Sequence, residues 1–149
     1  MSANDFDFFH GRWHVAHRKI ADIPGRGTEW VEFGAETECR PILGGAANVE
    51  SLRADGWEGM TLRQYDPERE VWRIWWASTR APGHLDPPVE GRFEGDHGVF
   101  FGDDVVGGQA VKVRFDWTAG AEPVWQQQFS YDDGATWETN WIMRFSPVA

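Results

Sequence analysis

The stretch that decides the fold is VWQQQFSYDDGATWETNWIMRF, residues 124–145. It consists of two runs rich in aromatic and aliphatic residues, 124–131 and 136–145, with a short polar segment between them. Aromatic and β-branched residues favour extended backbone, whereas Asp and Gly favour tight turns. The stretch therefore predicts a β-hairpin.

The turn of this hairpin, SYDDGATW (130–137), follows the pattern S-x-D-x-G-x-T-W. Gly134 can adopt the positive φ of a tight turn, and the carboxylate of Asp132 can accept hydrogen bonds from the turn's own N–H groups. The pattern resembles the Asp-box of sialidase propellers, where the box forms a turn away from the active site. A chain of 149 residues is too short for a six-bladed propeller, so the resemblance implies a hairpin and no catalytic role.

The same alternation of short runs and turns continues along the whole chain, which contains 17 Gly and 8 Pro among many aromatic residues. No apolar repeat of about 3.6 residues persists long enough for a major helix. A short helical turn is expected over DFDFF (5–9). About ten strands are predicted, over residues 12–20, 28–40, 47–54, 60–66, 71–79, 89–95, 98–104, 109–117, 124–131 and 136–145.

Tight turns between these strands predict an antiparallel up-and-down arrangement. Strands that no helix covers would leave open edges unless the sheet closes, so a β-barrel is favoured over a flat sheet. The fold class is therefore all-β, a single antiparallel barrel over residues 1–149. A barrel of this strand number has room inside for a small molecule.

Composition excludes several classes of partner. The chain carries 14 basic and 24 acidic residues, a net charge of −10, and no basic cluster that suits nucleic acid. Neither a signal-peptide pattern nor an apolar run of about 18 residues occurs, so no membrane partner is expected. Cys39 is the only cysteine. It cannot form an internal disulfide, which favours a reducing compartment, and we predict a cytoplasmic protein.

The segment FFHGRWHV (8–15) contains Gly11-Arg12-Trp13 just before the first predicted strand. This G-x-W resembles the start of calycin barrels, which include lipocalins, fatty-acid-binding proteins and nitrobindin-like proteins. In lipocalins an Arg of the last strand lies over that Trp, so the resemblance implies that Arg144 is a cation–π partner of Trp13. The chain, including LDPPVEGRFEG (85–95), also resembles a bacterial lipocalin-like domain of unknown function, which implies the fold but no activity.

Nitrobindin-like barrels hold haem through a His late in the chain. The five histidines here are His10, His14, His17, His84 and His97, and none follows residue 97. Haem binding is therefore kept only as an alternative, and no cofactor or metal is expected.

On the first strand, alternation places Trp13, His17 and Lys19 on one face and His14 on the other. If Trp13 fills the end of the barrel, His17 points into the interior. An imidazole there could act as a general base or bind ligand. The alternative is a His that only bonds a neighbouring side chain.

The residues predicted to line the cavity are Trp13, His17, Trp76, Arg114 and Gln127. Gln127 shares a strand face with two aromatic residues, so its amide needs partners from facing strands or from a ligand. Arg114 faces solvent if the apolar residues of its strand face the core; in the alternative it faces inward and binds a carboxylate, as an Arg does in fatty-acid-binding proteins. Both faces of the strand that carries Trp76 are partly apolar, so alternation leaves its inward face open.

The loop APGHLDPP (81–88) places His84 and Asp86 two residues apart beside three prolines. They are candidates for an acid–base pair at the barrel rim.

The sequence supports two hypotheses for the function. The first is a barrel that binds a small hydrophobic or aromatic molecule. The second is a cofactor-free isomerase, cyclase or hydrolase that uses His17, or His84 with Asp86. A homodimer is a further possible assembly.

Overall fold

A computed structural model describes residues 2–148, and this part of the chain forms ten strands and two three-residue 3-10 helices. The first helix is Asp7–Phe9, and the second, Leu43–Gly45, lies between the second and third strands. The strands are β1 (Gly11–Ile20), β2 (Trp30–Ile42), β3 (Ala47–Ala54), β4 (Trp57–Asp66), β5 (Val71–Ser78), β6 (Val89–Glu94), β7 (His97–Val106), β8 (Gln109–Thr118), β9 (Val124–Ser130) and β10 (Glu138–Pro147).

The ten strands form one closed antiparallel barrel in which sequence neighbours pair and β1 pairs with β10. The predicted all-β up-and-down barrel and its N-terminal helical turn are therefore confirmed. None of the helices within residues 2–148 is long and apolar enough to cross a membrane.

The prediction placed the start of β4 three residues too late. The turn before it contains only Asp55 and Gly56, whose φ is 85°, and Trp57 already belongs to the strand. Gly59 signals a close approach instead of a turn, because a Cβ there would lie 2.1 Å from Cη2 of Trp76.

One end of the barrel is closed by the N-terminal turn. Phe6 and Phe9 are almost fully buried, at 1% and 0% exposure. Phe9 stacks on Trp13 with ring centroids 5.6 Å apart, and its carbonyl oxygen accepts a 2.9 Å hydrogen bond from Trp13 Nε1. Trp13 therefore fills this closed end, as alternation along β1 predicts.

The predicted contact between Arg144 and Trp13 is wrong. Met143 and Phe145 point into the barrel, so Arg144 between them is exposed on the outer face. The cation at the closed end is Arg63 of β4, which lies 5.2 Å from the ring centroid of Phe6 and 5.3 Å from that of Phe9.

The turn between β9 and β10 has the predicted hydrogen bonds. Asp132 accepts hydrogen bonds from Thr136 Oγ1 at 2.5 Å, from Thr136 N at 2.8 Å and from Ser130 Oγ at 2.7 Å. These bonds, those of Thr136 first, lower the pKa of the Asp132 carboxyl to about 2. Gly134 has a φ of 93°, as the turn requires.

Candidate ligand-binding cavity

The barrel encloses a cavity of about 180 Å³. Alternation along β8 places Val113, Phe115 and Trp117 on its wall, which confirms that the apolar face of this strand points inward. The aromatic residues of the wall are Trp76, Phe115, Trp117, Trp125, Phe129, Trp141 and Phe145.

The structure separates the five residues that were expected to line the cavity. Trp76 and Gln127 lie on the cavity wall. Trp13 lies in the closed end, His17 packs behind the wall, and Arg114 lies outside the barrel.

The inward orientation of Arg114 is not observed, because its strand neighbours Val113 and Phe115 point inward. Arg114 Nε instead donates a hydrogen bond to Gln128 Oε1 on the adjacent strand. Its guanidinium lies 4.6 Å from the ring centroid of Trp137. Arg114 therefore cannot bind a carboxylate inside the cavity in this arrangement.

Gln127 faces inward between Trp125 and Phe129, and its partner comes from the facing strand. Gln127 Nε2 donates a 2.9 Å hydrogen bond to Oδ1 of Asn140. The pairing of β10 shifts between Thr139 and Trp141, so Asn140 and Trp141 are both buried although they are consecutive. Simple alternation along β10 would place Asn140 on the outer face with Arg144, and the bulge reverses this.

His17 is 2% exposed, and its imidazole stacks on Phe33 with centroids 4.3 Å apart. Its Nδ1 accepts a 3.0 Å hydrogen bond from Trp141 Nε1, so the proton of the neutral ring lies on Nε2. Burial, together with the charges of Lys19 and Arg80, lowers the pKa of His17 to about 4. His17 is therefore neutral near pH 7.

An ion pair that strand alternation does not reveal lies on the cavity wall near the closed end. Arg63 Nη2 and Glu50 Oε1 are 2.5 Å apart, and the side chains of Arg63 and Glu50 are 3% and 6% exposed. Thr37 Oγ1 donates to Glu50 Oε2 at 2.6 Å, and Arg63 Nη1 donates to Asn48 Oδ1 at 2.9 Å. The only signal for this network is that opposite charges occur on consecutive strands, two residues out of register, since Arg63 pairs with Asn48 and Glu50 pairs with Thr61.

This network includes two donors that it does not satisfy within the described part of the chain. Arg63 Nε and Asn48 Nδ2 are buried donors without an acceptor among residues 2–148. Cys39 Sγ lies 3.8 Å from Arg63 Nη1, and burial raises the pKa of its thiol to about 12. Cys39 is therefore a protonated core residue, and Arg63 is the member of this network that can donate a hydrogen bond to a ligand.

At the opposite end, the loop before β6 brings His84 and Asp86 together, with Nε2 and Oδ1 3.2 Å apart. Asp86 lines the cavity together with Asp103 and Asp104 of β7. Burial raises the pKa of Asp86, and the charge of Asp104 adds to this effect. The mouth of the cavity is therefore acidic on the side of β6 and β7.

Haem does not fit this cavity. None of the described residues on its wall is a histidine, and about 180 Å³ is below the range of about 300–1,000 Å³ that is typical of cofactor pockets. Within residues 2–148, no three His, Cys, Asp or Glu side chains converge as metal ligands would.

The fold and the cavity define a class of structure, a closed ten-stranded antiparallel barrel with an aromatic-lined interior. This architecture is compatible with a calycin-like fold. Comparison with protein-family models and with curated proteins gives no match to this chain.

Proposed function

We propose that the barrel binds a small hydrophobic or aromatic molecule in its cavity. The observation that carries this proposal is a cavity of about 180 Å³ with seven aromatic residues on its wall. An apolar protein cavity of roughly 150 Å³ is large enough to bind benzene. A one- or two-ring molecule therefore suits this interior better than a long lipid.

Polar groups at two depths support a defined orientation of the ligand. Gln127 offers an amide on the wall, and Arg63 offers a donor nearer the closed end. A few polar groups in an apolar pocket fix the orientation of a ligand. We therefore expect the ligand to place a carbonyl or hydroxyl oxygen toward Arg63.

The first test is native mass spectrometry of the freshly purified protein, followed by its denatured mass and absorbance spectrum. A small-molecule mass that is lost on denaturation identifies the ligand. Calorimetric titration with indole then tests the cavity directly, and we expect saturable binding with one indole per barrel.

The matched variants are Val113→Phe, which adds a ring inside the cavity, and Val105→Phe, which adds the same ring at a position that is 66% exposed. Val113→Phe should abolish indole binding and Val105→Phe should preserve it, with circular dichroism confirming that both fold. Unchanged binding to folded Val113→Phe would place the indole outside the cavity and contradict the proposal.

A second function, a cofactor-free isomerase, cyclase or hydrolase, is favoured by the pair of His84 and Asp86 at the mouth. A carboxylate that orients an imidazole beside an apolar pocket is an arrangement suited to acid–base chemistry. His97 and Asp116 form a similar pair, with Nε2 and Oδ2 2.8 Å apart, and neither residue lies on the cavity wall.

A substrate screen of the wild type should therefore be repeated on His84→Gln and His97→Gln. Turnover that His84→Gln loses and His97→Gln retains supports the enzyme. If both variants retain turnover, His84 is not the catalytic acid or base.

A cytoplasmic location remains part of the proposal. It is supported by a single cysteine that is buried and protonated. The partner we propose is the small molecule, without nucleic acid or membrane, and sedimentation would test the possible homodimer.

A further inference from the structure

Two cations converge on one pair of tryptophans at the open end of the barrel. Lys19 Nζ lies 4.1 Å from the ring centroid of Trp141, and Arg80 Cζ lies 4.2 Å from that of Trp57. The two indole rings are 6.2 Å apart. Lys19 is near the end of β1 and Arg80 follows β5, so both reach this site from the end opposite the N-terminal turn.

Neither cation has a carboxylate partner in the part of the chain that the structure describes. No ion pair of Lys19 or Arg80 occurs within residues 2–148, although the chain contains 24 acidic and 14 basic residues. Lys19 is half-buried, and its burial together with the charge of Arg80 lowers its pKa to about 8. Two like charges beside each other in a partly buried site favour an anion between them.

A third donor belongs to the same site. His17 Nε2 is buried and has no acceptor among residues 2–148. Lys19 lies over Trp141 and Arg80 lies over Trp57, and His17 borders the same two indoles. The imidazole contacts both indoles, with centroids 6.0 Å from Trp57 and 5.8 Å from Trp141.

This cationic cluster is separate from the acidic side of the mouth. Asp86, Asp103 and Asp104 lie on the cavity wall, whereas Lys19 and Arg80 do not. Trp141 nevertheless belongs both to the cluster and to the cavity wall. Trp57, over which Arg80 lies, also contacts Trp76 of the wall with centroids 6.2 Å apart, so the cluster adjoins the cavity wall at these rings.

We propose that Lys19, Arg80 and His17 form a subsite for an anionic group, a carboxylate or a phosphate, of the molecule that the cavity binds. This inference rests on the proposed function and narrows the ligand to an aromatic acid. Lys and Arg provide charge-assisted hydrogen bonds to the anion, and the neutral His17 donates through Nε2.

The test compares indole-3-acetate with indole-3-acetamide, which have nearly the same shape but differ in charge. In calorimetric titrations the wild type should bind the acetate about tenfold more tightly than the acetamide. Lys19→Gln and Arg80→Gln should each remove most of this advantage and leave acetamide binding within about twofold, because the amide carries no charge.

The matched control is Arg18→Gln, which removes the same charge from the outer face of β1, where Arg18 lies 4.5 Å from the ring centroid of Trp30. It should retain the preference for the acetate. A preference that falls equally in all three variants would reflect only net charge and would overturn the subsite.

The remaining outcomes are distinct. Equal affinity of the wild type for both ligands would overturn the subsite and leave the cavity proposal intact, whereas binding of neither ligand would overturn both. Inorganic phosphate that competes with the acetate, but not with the acetamide, supports an anion site that also accepts free anions. If phosphate does not compete and the acetate preference still depends on Lys19, the site binds an anionic group only when that group is part of the cavity ligand.

Discussion

His17 is buried in its neutral form, and this makes the stability of the barrel depend on pH. Its pKa is about 4 in the folded protein, below the ordinary value of 6.5. The unfolded chain therefore binds the proton more readily, so stability is complete above pH 6.5 and falls as the pH drops from 6.5 toward 4. Once the pH is below the folded pKa, the free energy of unfolding should be lower by about 3 kcal/mol.

Urea unfolding at pH 7 and pH 4 checks this prediction. His17→Gln should reduce the difference between the two pH values, whereas His14→Gln, at an exposed outer position, should not. An unchanged difference in His17→Gln would mean that another group causes the acid sensitivity.

The ion pair of Glu50 and Arg63 predicts an asymmetric response to mutation. Arg63→Met leaves the Glu50 carboxylate buried without its partner and should lower the free energy of unfolding by about 3–5 kcal/mol. The double variant Glu50→Leu/Arg63→Met removes both charges and should be more stable than Arg63→Met alone. Urea unfolding of both variants tests this. The control is Arg69→Met, because Arg69 is exposed and its loss should lower the free energy of unfolding by only about 0–1 kcal/mol. A double variant that is less stable than Arg63→Met would show that the unpaired charge of Glu50 is not what destabilises Arg63→Met.

At the scale of single residues, alternation correctly predicted the inward face of β1 and of β8 because their apolar residues recur every second position. The same rule failed for Glu50 and Arg63. Polar residues on alternate positions normally face solvent, and nothing local shows that two charges neutralise each other inside. Alternation also fails at Asn140, because a bulge in β10 reverses it there.

Among the elements, the hairpin of β9 and β10 depends on Asp132, which accepts three hydrogen bonds within its turn. Asp132→Ala should lower the midpoint of thermal unfolding, because the N–H of Thr136 and two hydroxyls lose their acceptor. Asp133→Asn is the control, since the Asp133 side chain is exposed and accepts no hydrogen bond within the turn, and Asn tolerates the φ of 58° at this position. Equal midpoints for the two variants would contradict the role of Asp132.

The effect of Asp132 also has a defined pH range. Its pKa of about 2 lies below the ordinary value of 3.8, so its contribution is present above pH 3.8 and is lost as the pH falls toward 2. The wild type and Asp132→Ala should therefore differ less at pH 2 than at pH 6.

The strands were predictable because Gly, Asp and Pro separate them, whereas the start of β4 was not. The segment DGWEG, residues 55–59, contains two glycines that cannot be distinguished in the sequence, but only Gly56 lies in the turn. Gly59 makes room for Trp76, and that contact comes from β5, a different strand. Contacts between strands are what short-range patterns cannot reveal.

For the whole molecule, strand count and turn spacing predicted closure, because ten strands without helical cover would leave open edges. The size of the cavity did not follow from these patterns. It depends on how far the N-terminal turn enters the barrel and on how seven aromatic rings pack, and both are properties of the complete fold.

Because eight of the ten strands, β3 to β10, contribute residues to the cavity wall, a ligand inside should stabilise the molecule as a unit. Indole at about 100 times its dissociation constant should raise the free energy of unfolding by about 2.7 kcal/mol. Thermal unfolding with and without indole measures this, and Val105→Phe should show the same rise as the wild type. Val113→Phe should show none. Equal stabilisation of both variants would mean that indole binds the surface, because only an internal ligand competes with the added ring at Val113.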